Sequence, residues 1–165
     1  MTVRALIAAI VGGATFASAG ILAHAGPLTL ARHAVLGAAL ASAAFFDFAQ
    51  RRIPNRIVLP AAATCASLTL AAGAPLSLLT GLVTILVLLV VSLRWPAALG
   101  MGDVKLALLL VLGLDGDALR ALALGLILAA LAGLALLIRQ GRTAWRTSLP
   151  MAPFLVVGAL LTVLA

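Results

Sequence analysis

The stretch VKLALLLVLGLDGDALRALALGLILAALAGLALLI, residues 104–138, decides the fold. Its apolar residues run on without the alternation of a lipid-facing strand, so the periodicity points to helices. Asp115-Gly116-Asp117 interrupts the run once and reads as a polar turn with a helix cap, since two carboxylates make a poor calcium cage. A helix needs roughly 20 apolar residues, and about 17 at least, to cross a hydrocarbon core. Residues 118–138 meet that length; residues 104–114 do so only if their helix starts further back, inside the turn at 100–103, which places that turn at or below the membrane surface.

The rest of the chain repeats the pattern. Of its 165 residues 65% are hydrophobic and 9% charged, with a mean hydropathy of +1.29, whereas soluble domains carry about a quarter charged residues. Further apolar segments occupy 3–25, 28–48, 57–72, 75–93 and 149–165. Together they predict an all-α, polytopic transmembrane bundle of about six core helices and one extra N-terminal helix, forming a single integral membrane domain. Residues 28–165 make the core. Residues 1–25 are the extra segment, or a cleavable signal peptide with Arg4 ahead of it and Ala23-His24-Ala25 at its end. Gly12, Gly13, Gly37 and Gly133 suit close helix approach. Cys65 is the sole cysteine, which excludes internal disulfides and Cys-rich zinc sites, and it reads as a small buried hydrophobe.

The net charge of +7 sits in short clusters between apolar runs, with no polar domain to carry it to nucleic acid. With the N-terminus in the cytoplasm, nine basic residues fall on the cytoplasmic side: Arg4, Arg51, Arg52, Arg56, Arg94, Lys105, Arg139, Arg142 and Arg146. Only Arg32 and Arg120 fall outside. Asp47 and Asp103 then emerge at the same cytoplasmic face.

That shared depth gives the two aspartates their interest. The chain has only four acids, and these two lie in apolar surroundings at a membrane edge, where a carboxylate is costly. Two such acids sharing a site suggest acid/base work on a water molecule. Asp47 is followed by Phe48-Ala49-Gln50-Arg51-Arg52-Ile53-Pro54-Asn55-Arg56, in which Pro54 ends the helix and Asn55 suits a turn or the cap of the next segment. An ordinary alternative is a salt bridge from Asp47 to Arg51 one turn later. Asp103 closes Gly100-Met101-Gly102-Asp103-Val104-Lys105, where two glycines permit positive φ and close approach of a substrate chain. There the alternative is a plain N-cap.

The aspartate before Arg52-Ile53-Pro54-Asn55, the Gly-Met-Gly-Asp-Val-Lys motif, and Pro150-Met151-Ala152-Pro153-Phe154-Leu155 opening the last segment resemble the type IV prepilin peptidases, membrane aspartyl proteases of the GxGD type. The resemblance covers about residue 28 to the C-terminus. It implies that Asp47 and Asp103 are catalytic, that Gly100, Met101, Gly102 and Lys105 shape the substrate cleft, and that Arg52, Ile53, Pro54, Asn55, Pro150 and Pro153 form structural turns. The implied activity is removal of the leader from a prepilin at the cytoplasmic face of the bacterial inner membrane. Bifunctional members carry an insertion with paired Cys-x-x-Cys motifs and also methylate the product; this chain has neither, and so resembles the short, peptidase-only form serving Flp-type pili, with the pilus assembly machinery as a further partner. Leaders of this kind are positively charged, so Arg51, Arg52 and Arg56 are expected to serve orientation and contact with anionic lipid.

The chemistry expected of such a pair is one ionised carboxylate taking a proton from water while the other, protonated, polarises the scissile carbonyl. It requires neither cofactor nor metal. His24 and His33 fall near the opposite face, as surface or interfacial histidines. A proton-coupled transporter would place its acids near the midplane with repeated broken helices, a degenerate scaffold would lose an aspartate, and a presenilin-like protease would carry Tyr-Asp and Pro-Ala-Leu. None of these features is in the sequence.

Overall fold

The structure, a computed structural model, describes residues 2–95, 100–141 and 149–165, and all regular structure among them is helical. The helices are α1 (Val3–Leu22), α2 (Pro27–Gln50), α3 (Asn55–Ala71), α4 (Pro75–Arg94), α5 (Met101–Leu114), α6 (Ala118–Gln140) and α7 (Ala152–Leu164), with a 3-10 turn, Asp115–Asp117, between α5 and α6. Arg142 and Arg146 lie outside the described residues.

Local chemistry places most of the boundaries. Thr2 caps α1, its hydroxyl accepting from Ala5 N–H at 3.4 Å. Pro27 and Pro75 stand at helix starts, where a missing N–H removes nothing the helix needs. Arg51 ends α2 in the left-handed region (φ 54°), its N–H bonded to the Asp47 carbonyl at 3.0 Å. Asn55 is the first residue of α3 and not its cap: Pro54 is the cap, and its carbonyl accepts from Ile57 and Val58 N–H. Buried and exposed hydroxyls alike turn back onto their own helix, as Ser42 does to Ala38 O at 2.8 Å and Thr162 to Gly158 O at 2.8 Å, which is how such groups are satisfied without water.

Helix α5 is the axis. It packs against α2, α3, α4, α6 and α7, and its Leu106, Leu109 and Leu110 are fully buried with Leu36, Leu40, Val58 and Cys65. A helix that is apolar all round belongs inside protein. At 14 residues it is about 21 Å long, short of the roughly 30 Å hydrocarbon core, and its burial removes the need to match that thickness. It begins at Met101, so the expected starting point within residues 100–103 is where the helix starts. The apolar surface instead faces outward from α1, α4 and α6, through Ile7, Ile10, Leu86, Val90, Leu126, Ile127 and Leu131. By length and composition α1, α2 and the stretch Met101–Gln140 are apolar enough to cross a membrane, with Gly81–Arg94 and Ala152–Leu164 as shorter apolar helices.

Two glycine contacts set the spacing of the outer helices. On α1 and α2, Gly12 and Gly37 face one another, and a Cβ on either would meet the other's carbonyl oxygen. On α6 and α7, a Cβ on Gly158 would stand 2.5 Å from both Ala121 O and Gly125 N. Gly133, grouped with these from sequence, meets only Leu149 Cδ1 at an ordinary 3.6 Å, so its small size is not what that contact requires. Through the first pair Phe16 of α1 joins the main core, at 1% exposure.

Candidate active site

Asp47 lies in the last turn of α2 and is half-buried. Its Oδ2 accepts a hydrogen bond from the backbone N–H of Ala152, at 3.1 Å, across 105 residues of sequence. The end of α2 and the start of α7 are thereby joined. Pro150 and Pro153 flank the donor, so the last expected turn is at the site itself.

Asp103 is also half-buried, in the first turn of α5. It is the third helical residue, and Gly100 is the cap, which corrects the N-cap reading. The Asp103 carboxylate accepts from Gly100 N–H, the reach-back half of a capping box. A side chain on Gly100 would stand 3.5 Å from Asp103 Oδ2. The charge of Asp47 acts on the Asp103 carboxyl, so the fold brings the two acids together at one end of the bundle.

Neither glycine of this motif uses a positive φ, and only Gly102 makes a contact tighter than ordinary. Gly100 is extended (φ −71°, ψ 146°), Gly102 is helical, and the positive-φ glycines among the described residues are Gly73 and Gly141. A Cβ on Gly102 would stand 3.1 Å from Ile53 Cδ1. The helix starts one residue after Gly100, leaving no turn to require a left-handed residue, whereas the α2–α3 connection presses close against α5.

An open cleft of about 860 Å³ adjoins the pair. Arg51, Arg52, Arg56 and Lys105 line it, with Phe46, Ile53, Pro54, Asn55, Ile57 and Gly102. Neither acid is itself a wall, though each follows a residue that is, Phe46 before Asp47 and Gly102 before Asp103. Gly100 and Met101 are not walls either; Met101 is 43% exposed. Lys105, Arg52, Ile53, Pro54 and Asn55 are among the walls.

The opposite end holds a polar cluster that the sequence reading missed. Arg32 of α2 is buried and forms an ion pair with Asp115 through Nη1, which also donates to Thr69 Oγ1 at 2.9 Å. Thr69 Oγ1 in turn lies 3.0 Å from Cys65 O and 3.4 Å from Asp115 Oδ1. Asp115 is therefore no plain turn residue; it takes a left-handed φ of 50° while engaging this cluster. His33, expected at the surface, is buried at 8% exposure, because α1 covers that side of α2 and Gly20 leaves room for the ring. His24 is exposed, as expected. The available signal was an arginine inside an apolar helix facing an aspartate in a turn, but nothing in their spacing links residues 32, 69 and 115.

Among the described residues no group of three or more His, Cys, Asp or Glu side chains gathers as a metal site. The family model described as the type IV leader peptidase family matches residues 34–138, from α2 through α6. Neither a curated protein nor a solved structure matches the chain.

Proposed function

We propose, from the premise that this chain belongs to the type IV leader peptidase family, that it is an aspartic endopeptidase cutting Flp-type prepilins at the cytoplasmic face of the bacterial inner membrane. That it is a membrane peptidase acting on prepilins follows from the family and the apolar helices. The observation that carries the finer reading is the pair Asp47 and Asp103: two of four acids in the chain, half-buried, electrostatically in touch, and beside an open cleft.

In this reading the leader junction enters the cleft and lies along Ile53, Gly102 and Lys105. One aspartate, ionised, accepts a proton from water as the oxygen attacks the scissile carbonyl; the other, protonated, donates a hydrogen bond to the carbonyl oxygen. Collapse of the tetrahedral species breaks the C–N bond, and a proton passes to the departing amine. Cytoplasmic orientation is supported by Arg51, Arg52, Arg56, Arg94, Lys105 and Arg139, all at the aspartate end, against Arg32 and Arg120 at the other. Helix α1 lies outside the family match, and in this reading residues 28–165 make the peptidase core.

Co-expression of an Flp-type prepilin with wild type, Asp47→Asn or Asp103→Asn tests the dyad, read as the shift from precursor to mature size. Cleavage is expected with wild type and lost in both variants while each still inserts in the membrane. Cleavage retained by either variant removes that residue from catalysis.

A further inference from the structure

We propose that the backbone N–H of Ala152, the first residue of α7, is the positioning group that holds the Asp47 carboxylate for catalysis; this rests on the dyad reading above. The start of α7 offers few donors, and the sequence removes the competitors. Pro153 has no N–H, and the N–H groups of Phe154 and Leu155 turn back to the Met151 carbonyl at 3.1 and 3.3 Å. Met151, the cap residue, supplies no side-chain cap to the helix. Of the first four helical residues, Ala152 is left with an N–H to give, and it gives it to Asp47 Oδ2 at 3.1 Å.

The donor is also held rigidly. Ala152 is fully buried and Leu155 nearly so, and one turn further on Gly158 seats α7 directly on the backbone of Ala121 and Gly125. Pro150 and Pro153 restrict the backbone on either side. A carboxylate in the last turn of α2 is thus fixed by an element whose own position is set by α6, the arrangement a preorganised catalytic group needs. Without this bond the side chain of Asp47 would be free to rotate toward the cleft and away from Asp103. The group lies beyond the residues matched by the family model, which end at 138, so it completes the site from a separate helix.

The test uses the full-length protein in detergent micelles with an Flp-type prepilin. Ala152→Pro deletes the N–H at the first helical position, where it also disfavours the helical backbone of Met151, and Ala152→Gly keeps the N–H while removing the side chain. Ala152→Pro is expected to lower kcat by about 100-fold with KM within about twofold of wild type, the size of loss a misplacement of about 1 Å produces. Ala152→Gly is expected to stay near wild type. Unchanged kcat in Ala152→Pro, a rise in KM alone, or an equal loss in Ala152→Gly overturns the proposal. Should Ala152→Pro fail to melt cooperatively, replacing the amide between residues 151 and 152 by an ester removes the same donor with the side chain intact, and a wild-type kcat there overturns it equally. Asp47→Asn, assayed alongside, separates the two failures: if it still cleaves, the dyad is wrong; if it does not while the ester variant does, only the role of Ala152 is wrong.

Discussion

The two ends of the bundle treat buried charge in opposite ways. At one end Arg32 meets Asp115, and Thr69 bridges them, so an acid and a base that would each be costly in an apolar setting compensate one another. At the other end, about 22 Å along α2 by helical rise, Asp47 faces a second acid, held by single backbone N–H groups from Ala152 and Gly100. The first arrangement is what a membrane bundle does to tie its helices. The second sets two acids beside a cleft that Arg51, Arg52, Arg56 and Lys105 line, and in the proposed reading they are kept there for their chemistry. A cleft opens at the second end.

The largest expected effect breaks the aspartate end. Each single Asp→Asn change lowers kcat about 10²- to 10⁴-fold, and Asp47→Asn combined with Asp103→Asn is no worse than either alone, because groups acting as a unit do not add. A prepilin cleavage assay on purified protein reads this; a further large loss in the double variant would mean that the two act separately. Neither change should lower the melting temperature, since each relieves a like-charge contact.

Next comes the compensated end, where the signs reverse. Arg32→Ala removes the counter-charge of Asp115 and should cost about 3–5 kcal/mol of stability, while Arg32→Met together with Asp115→Asn, a residue that tolerates the positive φ there, restores most of it. Denaturation in mixed micelles measures both, and cleavage per folded molecule should be unchanged. An equal loss in single and double variants would show that the ion pair adds stability beyond compensating its own burial.

Two smaller effects sharpen the contrast. Gly37→Val forces α1 off α2 and should cost about 1–3 kcal/mol, against a change within about 0.5 kcal/mol for Gly133→Ala, measured in the same denaturation series. Thr69→Val removes the hydroxyl between Arg32 and Asp115 and should cost about 1 kcal/mol. A loss of activity in Thr69→Val without a loss of stability would connect the two ends and end the division drawn between them.

Most of this fold is legible in the sequence because the membrane leaves the chain few choices. Apolar length, proline and glycine punctuation, and the charge bias among its short connections mark seven helices at nearly their observed bounds. The two aspartates are legible for the same reason, as charges that share one depth at a membrane edge. Less visible were the jobs of individual small residues. Gly100 and Gly102 suggest backbone freedom, yet Gly102 serves by letting Ile53 approach. Gly133 looks like Gly37 in sequence, yet only Gly37 is crossed by a neighbouring backbone.

What the sequence by itself determined is the helical, membrane-spanning class, the succession of segments and the candidacy of Asp47 and Asp103, because those depend on local composition and on the thickness of a bilayer. Tertiary structure alone decided which partners each charge has. Arg32, Thr69 and Asp115 meet only because α2, α3 and α5 cross at one end, and Ala152 meets Asp47 only because α7 returns beside α2. Such contacts depend on how helices are arranged around α5, and periodicity within one helix holds no record of what stands against it.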